Sequence, residues 1–224
     1  CSAYRNPALL AQMAATVDEI SDGRLVLGLG AGWHEPEFDA LGLPFDRRVS
    51  RFEEAIQIIR GLLRDGQIDF KGDFYEARDS EIILRGPREE GPPILVGSIG
   101  PRMLRIAARH ADMWNAFTYM YNNDPAELPS VQRLVDDACN EVGRDPKSMA
   151  HTASVYVSMS GARGISTITE APIAGSPQDI AARLHAFSRH GISHLMIVPD
   201  PCTPEGLEEF ASVLEILDSG DLAM

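Results

Sequence analysis

Short apolar runs alternate with amphipathic stretches along the chain, and the period of each predicts its element. Asn6 before Pro7 is a cap with proline at the first helical position, and Ala8 to Ile20 then reads as a helix that Gly23 stops. Leu25 to Leu29 is a continuous apolar run of the kind a parallel sheet buries on both faces. Gly30 to Val49 is glycine-rich and polar, and reads as loop. From Ser50, Phe52, Ile56, Ile59 and Leu63 repeat at helical spacing with charges opposite. Ile94-Leu95-Val96 predicts a strand, Arg102 to Ala111 a helix, Met113 to Phe117 a short strand, and about Ala126 to Val142 a helix ended by Gly143. Thr152 to Met159 is another β-run and Gly161 to Ala174 a loop. Ser176-Pro177-Gln178-Asp179 opens the next helix, with an acid three residues after the cap and a stripe of Ile180, Leu184 and Phe187. Leu195 to Val198 is the last strand. Thr203 caps a closing helix expected to turn Leu207, Phe210, Leu214 and Leu217 inward.

Residues 66–93 break this rhythm. Gln67 to Tyr75 places Ile68, Phe70, Phe74 and Tyr75 around Lys71-Gly72-Asp73, a small hairpin, and Arg85 to Pro93 is loop. This stretch reads as an insertion in a single domain covering residues 1–224, because neither flank has enough elements to close a core alone. After the initial helix come five strand-then-helix units. Such alternation means an α/β fold with a parallel sheet and helices outside, either doubly wound or closed as a (β/α)8 barrel, and the pattern leaves both open.

Composition narrows the function. The 224 residues are 44% hydrophobic and carry 20 Lys and Arg against 33 Asp and Glu, a net charge of -13. That balance argues against nucleic acid, whose phosphates need clustered cations, and against an anionic membrane surface. No apolar run reaches the roughly 20 residues of a membrane-spanning helix. Cys1, Cys139 and Cys202 lack metal-type spacing, which makes a reducing cytoplasm the expectation. A first residue that is Cys1 suggests a start inside a longer chain.

Three segments carry candidate chemistry. Gly28-Leu29-Gly30-Ala31-Gly32-Trp33 ends a buried strand, where missing Cβ atoms let a planar ligand approach the backbone and Trp33 can stack on it. His34, Glu35 and Glu37 add titratable groups at the mouth. The structural alternative is a glycine turn whose Trp33 packs on the next helix. The spacing Gly-x-Gly-x-Gly with Pro36 following is not a dinucleotide fingerprint. Gly97-Ser98-Ile99-Gly100-Pro101-Arg102 joins a strand to a helix, so main-chain N–H groups and the helix dipole converge where a phosphate can sit, with Arg102 adding charge. Its alternative is a tight turn that needs glycine dihedrals. At Asp112-Met113-Trp114-Asn115 a strand ends; Asn115 can bond a heterocycle and Trp114 can wall a pocket or simply fill the core. The 6 histidines include no His-x-x-x-His or His-Glu-x-x-His pair on a helix face, so no metal is expected, and no Gly-x-Ser-x-Gly elbow supports covalent hydrolysis.

Several of these strings also carry a family resemblance. Tyr4-Arg5-Asn6-Pro7-Ala8-Leu9-Leu10-Ala11, Met13 to Asp18, Ser21 to Trp33, Pro92 to Gly97, Ala107 to Asp112 and Gly175-Ser176-Pro177 resemble, in order, the luciferase-like flavin and deazaflavin oxidoreductases. The resemblance implies a (β/α)8 TIM barrel of the luciferase-like type, with strands four to eight present here, three more ahead of Cys1, and a cofactor at the strands' carboxyl ends. It places Gly97, Ser98, Ile99 and Gly100 around the cofactor phosphate. Gly30, Ala31, Gly32 and Trp33 fall beside the ring system, with Trp114 and Asn115 lining the same pocket. Sugar-phosphate dehydrogenases of the superfamily carry glutamate where Trp33 stands, so the likeness does not extend to their acid/base chemistry. The implied activity is hydride transfer between the deazaflavin F420 and a small organic substrate, with His34 and Glu37 as proton donors. An FMN-dependent monooxygenase is the alternative, a non-catalytic cofactor-binding protein or inactive fragment lies outside both, and a homodimer is common in the family.

Overall fold

The computed structural model describes residues 1–165 and 168–220. Helix α1 (Pro7–Ile20) starts where the sequence predicts, at Asn6, whose side-chain oxygen accepts from Ala8 N at 2.9 Å and Leu9 N at 3.3 Å. Strand β1 (Leu27–Leu29) follows. Residues 30–49, expected to be loop throughout, contain a helix, α2 (Glu35–Leu41). Pro36 does not prevent it, because a proline in the first turn removes an N–H that has no intrahelical acceptor. Gly42 ends α2 at φ 66, and Phe38 anchors it, fully buried edge-on to Phe45 at 5.1 Å between ring centroids.

Helix α3 (Arg48–Asp65) buries Phe52, Ile56, Ile59 and Leu62 against Ala11 and Ala15 of α1. Strands β2 (Gln67–Lys71) and β3 (Glu76–Glu81) form the expected antiparallel hairpin, six residues longer than the apolar pattern marked because β3 is largely polar and exposed. A methyl at Gly61 of α3 would lie 2.7 Å from Ile68 Cδ1, so this glycine lets β2 approach the helix. The loop after β3 is pinned by Arg88, which bonds the fully buried Asp18 carboxylate through Nη2 and Nε and donates to Leu25 O at 2.6 Å. Strand β4 (Ile94–Gly97) pairs parallel to β1 in the register Leu27↔Ile94 to Leu29↔Val96. Helix α4 (Pro101–His110) and strand β5 (Met113–Phe117) follow. Below them Asp112 accepts from Ile94 N at 2.7 Å and from Arg64 Nη2 at 2.5 Å.

After β5 come α5 (Leu128–Glu141), β6 (Ala150–Ser158), α6 (Pro177–Ala186), β7 (Ile192–Asp200) and α7 (Pro204–Ser219). The strand order is β1-β4-β5-β6-β7, the chain order with the hairpin set aside. By contact the chain divides into two units, residues 1–114 with 137–149, and residues 115–136 with 150–224. In the second, β6 pairs parallel to β7 from Thr152↔His194 to Ser158↔Asp200. Strand β7 is longer than its apolar centre because the ladder continues through His194, paired with Thr152, to Ile192, paired with His151, with a register shift at the polar Ser193 between them. Ser176 and Asp179 form the anticipated capping box of α6. In the loop expected over 161–174, Ile173 bridges to Val157, while Ser166 and Thr167 lie outside the described residues.

The inward stripe expected for α7 holds at Phe210 and is corrected at Leu207 and Leu214. Leu207 and Leu214 are 53% and 48% exposed, whereas Gly206, Phe210 and Val213 are buried. The helix is apolar on two sides, and Gly206 selects between them: a methyl there would collide with the Pro201 carbonyl oxygen, so this glycine allows the close approach. Among the described residues no helix is long and apolar enough to cross a membrane.

Candidate functional site

The register of β1 and β4 sets the geometry. Leu29 faces Val96, so the next residues, Gly30 and Gly97, leave adjacent strands side by side at their carboxyl ends. From Gly97 the chain passes through Ser98 and Ile99 to Gly100, the cap residue of α4. Gly100 has φ -72 and ψ 135, a backbone any residue adopts, and no side chain caps the helix start. A methyl on Gly100 would come no closer than 3.9 Å to Ser98 Oγ. Neither dihedral nor packing demands glycine there, so the space in front of the helix is open. The first-turn amides of α4 face it without intrahelical acceptors, at the positive end of the dipole.

Two side chains shape this turn. Ser98 Oγ accepts from Gly100 N at 3.3 Å, and the fully buried Trp114 indole donates from Nε1 to Ser98 O at 2.8 Å. Trp114 thus acts on the turn through a peptide group. Arg102 does not add its charge: it donates to Ser50 Oγ at 3.0 Å and to Glu53 Oε2 at 2.7 Å, both on α3. What faces the space in front of α4 is therefore neutral amides and one hydroxyl.

On the neighbouring strand end, a methyl on Gly30 would meet nothing within 4 Å, and Gly30 O accepts from Ser2 N at 3.0 Å. Ala31 is buried. Gly32 has a structural reason for being glycine, since its φ is 81 and a methyl would lie 2.6 Å from the Phe38 ring. Trp33 is 77% exposed, tilted against the His34 ring at 5.1 Å, and so offers an open indole face instead of packing on a helix. His34 caps α2 and is exposed, as is Glu37 one turn on. Glu37 Oε2 accepts from Tyr4 Oη at 2.6 Å, a bond that raises the Tyr4 pKa above its ordinary value, with burial and the carboxylate charge acting in the same direction. Tyr4 belongs to the Tyr4-Arg5-Asn6 string, but nothing in the string shows its partner.

Asn115 lies in the second unit and is buried. Its Oδ1 accepts from Thr152 Oγ1 and its Nδ2 donates to Ser154 Oγ, each at 3.0 Å, while Thr118 Oγ1 donates to Ser154 O at 2.7 Å. Both ends of the amide are engaged by β6. At the carboxyl end of β7, Asp200 accepts from Tyr156 Oη at 2.9 Å, Gly164 N at 2.7 Å and Arg163 N at 3.2 Å. Burial raises its pKa, but these donors and the Arg163 charge outweigh that and leave it below the ordinary carboxylate value. Asp200 escaped the sequence reading because a single acid after an apolar strand has no distinguishing pattern. Among the described residues no group of three or more His, Cys, Asp or Glu could hold a metal ion.

The family model for luciferase-like monooxygenases matches residues 1–163. A phthiodiolone/phenolphthiodiolone dimycocerosates ketoreductase from Mycobacterium sp. (strain JLS) is 35% identical over 158 residues, covering 70% of this chain and 40% of its own length. A pyrimidine monooxygenase from Enterobacter sp. (strain 638) is 33% identical over 145 residues, covering 62% of this chain and 39% of its own. The chain thus spans half or less of these curated relatives. In structure it is similar to the coenzyme F420-dependent tetrahydromethanopterin reductase from Methanopyrus kandleri, with a TM-score of 0.74 and 19% identity over 96% of this chain and 80% of that one. That likeness identifies the parallel strands and helices as part of a (β/α)8 barrel. With 163 of its 224 residues matched by the family model, the chain belongs to the luciferase-like monooxygenase family.

Proposed function

We propose that the protein is an oxidoreductase that seats F420 with its phosphate on the Gly97–Gly100 turn and its ring beside Gly30–Trp33, for hydride exchange with a small organic substrate. One observation carries this reading: an uncapped helix start whose cap residue, Gly100, is glycine without conformational or packing cause. A phosphate fits such a seat, because amide donors and the helix dipole bind an anion without a counter-charge. F420, when bound, supplies the hydride-carrying ring. The chain's own work is to hold the phosphate through the first-turn amides and the Ser98 hydroxyl, to present the exposed Trp33 face to a ring system, and to exclude water. His34, and Glu37 through its bond to Tyr4, are the proposed proton donors; turnover unchanged in both His34→Ala and Glu37→Ala would remove that role.

The likeness to a pyrimidine monooxygenase supports a second reading, FMN with molecular oxygen. Titrating the full-length protein with F420 and with FMN, followed by absorption, separates them. Gly100→Val should keep the melting temperature while lowering affinity for the true cofactor at least tenfold; unchanged affinity for both would sink the seat. Stoichiometric binding with no substrate-dependent redox change would instead mean a binding protein. A cytoplasmic site and a homodimer belong to the same proposal, supported by an odd cysteine count without metal-type spacing and by the family resemblance, and sedimentation tests the dimer.

A further inference from the structure

Within the first unit, apart from the Gly97–Gly100 turn, a cleft of about 370 Å³ opens between the start of α1, the segment after α2, and the hairpin tip. Tyr4, Arg5, Leu43, Pro44, Arg51 and Tyr75 line it, a mostly apolar wall with two cations and two phenols. The cleft thus gathers two cations in a chain of net charge -13.

Arg51 is the organised cation. Its guanidinium carbon lies 4.5 Å over the Phe74 ring centre, its Nε donates to Asp46 O at 3.3 Å, and its side chain is 23% exposed. Its ion-pair partner among the described residues is Asp46, at 3.8 Å and 69% exposed, too far for a hydrogen bond and too solvated to contribute much. Glu54, one turn along α3, does not neutralise it either. The Glu54 carboxylate accepts the amides of Asp73, Phe74 and Tyr75 at 2.8, 2.9 and 3.0 Å. That clasp fixes the tip and with it the ring under Arg51 and the phenol beside the cleft. Burial raises the Tyr75 pKa and Glu54 adds to this, while the Arg51 charge opposes it; the net shift is upward, which keeps the hydroxyl a donor at neutral pH.

We propose that this cleft binds an organic monocarboxylate, its head on the Arg51 guanidinium and the Tyr75 hydroxyl and its apolar body along Leu43, Pro44 and the Tyr4 ring. A planar guanidinium stacked on an aromatic ring is pre-oriented for bidentate carboxylate binding. At about 30 Å³ per heavy atom the volume admits a body of about a dozen atoms. The cleft shares Tyr4 with the proposed proton-donor pair but nothing with the Gly97–Gly100 turn, and Arg51 and Tyr75 belong to neither, so either reading can fail alone.

The test is calorimetry on the full-length protein without cofactor, using octanoate and octanamide. Octanoate should bind at least tenfold more tightly than the amide, and Arg51→Gln should erase that difference while the circular dichroism melt is retained. Should Arg51→Gln fail to fold, Tyr75→Phe, which removes only a hydroxyl, should weaken octanoate about threefold and leave octanamide unchanged. Equal binding of acid and amide, no octanoate binding at millimolar concentration, or octanoate affinity unaffected by the variant that folds would overturn the proposal.

Discussion

Trp114→Phe tests the link between β5 and the turn that follows β4. The substitution keeps an aromatic ring in a fully buried position but deletes the Nε1–H that donates to Ser98 O at 2.8 Å. A neutral hydrogen bond of this kind contributes about 1 kcal/mol net. The indole also buries roughly 50 Å² more apolar surface than a phenyl ring, which at about 25 cal/mol per Å² adds about 1 kcal/mol. The variant should therefore lose about 2 kcal/mol in a urea titration followed by far-ultraviolet circular dichroism. Because the other tryptophan, Trp33, is 77% exposed, the variant's emission should shift to the red and stay nearly constant through unfolding. Cofactor affinity should fall at least tenfold, since the Ser98 peptide is no longer held where its neighbours present their amides. A variant that loses its 2 kcal/mol yet binds cofactor normally would show that Trp114 serves stability alone and does not act on the turn's binding. A variant with neither change would refute the hydrogen bond's part in both.

Other consequences of the described contacts can be measured directly. Arg88→Met strands the fully buried Asp18 carboxylate and should cost about 3 to 5 kcal/mol, whereas Asp18→Asn leaves a guanidinium that is 31% exposed and should cost less; equal losses in urea titrations would contradict this asymmetry. Burial lowers the pKa of His110, helped by Arg60 and Arg109 and opposed by Glu53, and burial lowers that of His151 against the Asp136 charge. Both histidines thus resist protonation when folded while the unfolded chain protonates near pH 6.5, so their contribution is present above that pH and lost as pH falls through the lowered folded values. The urea midpoint should drop between pH 7 and pH 5, and a double substitution with glutamine should flatten that drop.

Much of this fold is legible in the residues themselves, because local signals agree with the tertiary solution. Asn6-Pro7, Ser176-Pro177 with Asp179, and Thr203-Pro204 open helices where they were read, since capping is settled within four residues. The missed elements are those decided at a distance. Helix α2 exists because Phe38 finds a pocket over Gly32, and the stripe α7 buries is chosen by the approach of Gly206 to Pro201. In the candidate site the turn from β4 into α4 was visible as a strand–glycine–helix pattern. The commitment of Arg102 to Ser50 and Glu53, 52 and 49 residues away, was not. Nor does the sequence distinguish glycines required by packing, such as Gly32, from those that leave room, such as Gly30 and Gly100.

Helix α3 ties together nearly everything in the first unit. One side supplies the apolar residues packed against α1, and the rest of its surface tethers the other segments. Glu54 clasps the hairpin tip, Ser50 and Glu53 hold the start of α4 through Arg102, and Arg64 reaches Asp112 beneath β4. It works as a keel: no attached part can loosen without slackening a fastening that another part shares, so this unit should come apart as a whole and not in pieces.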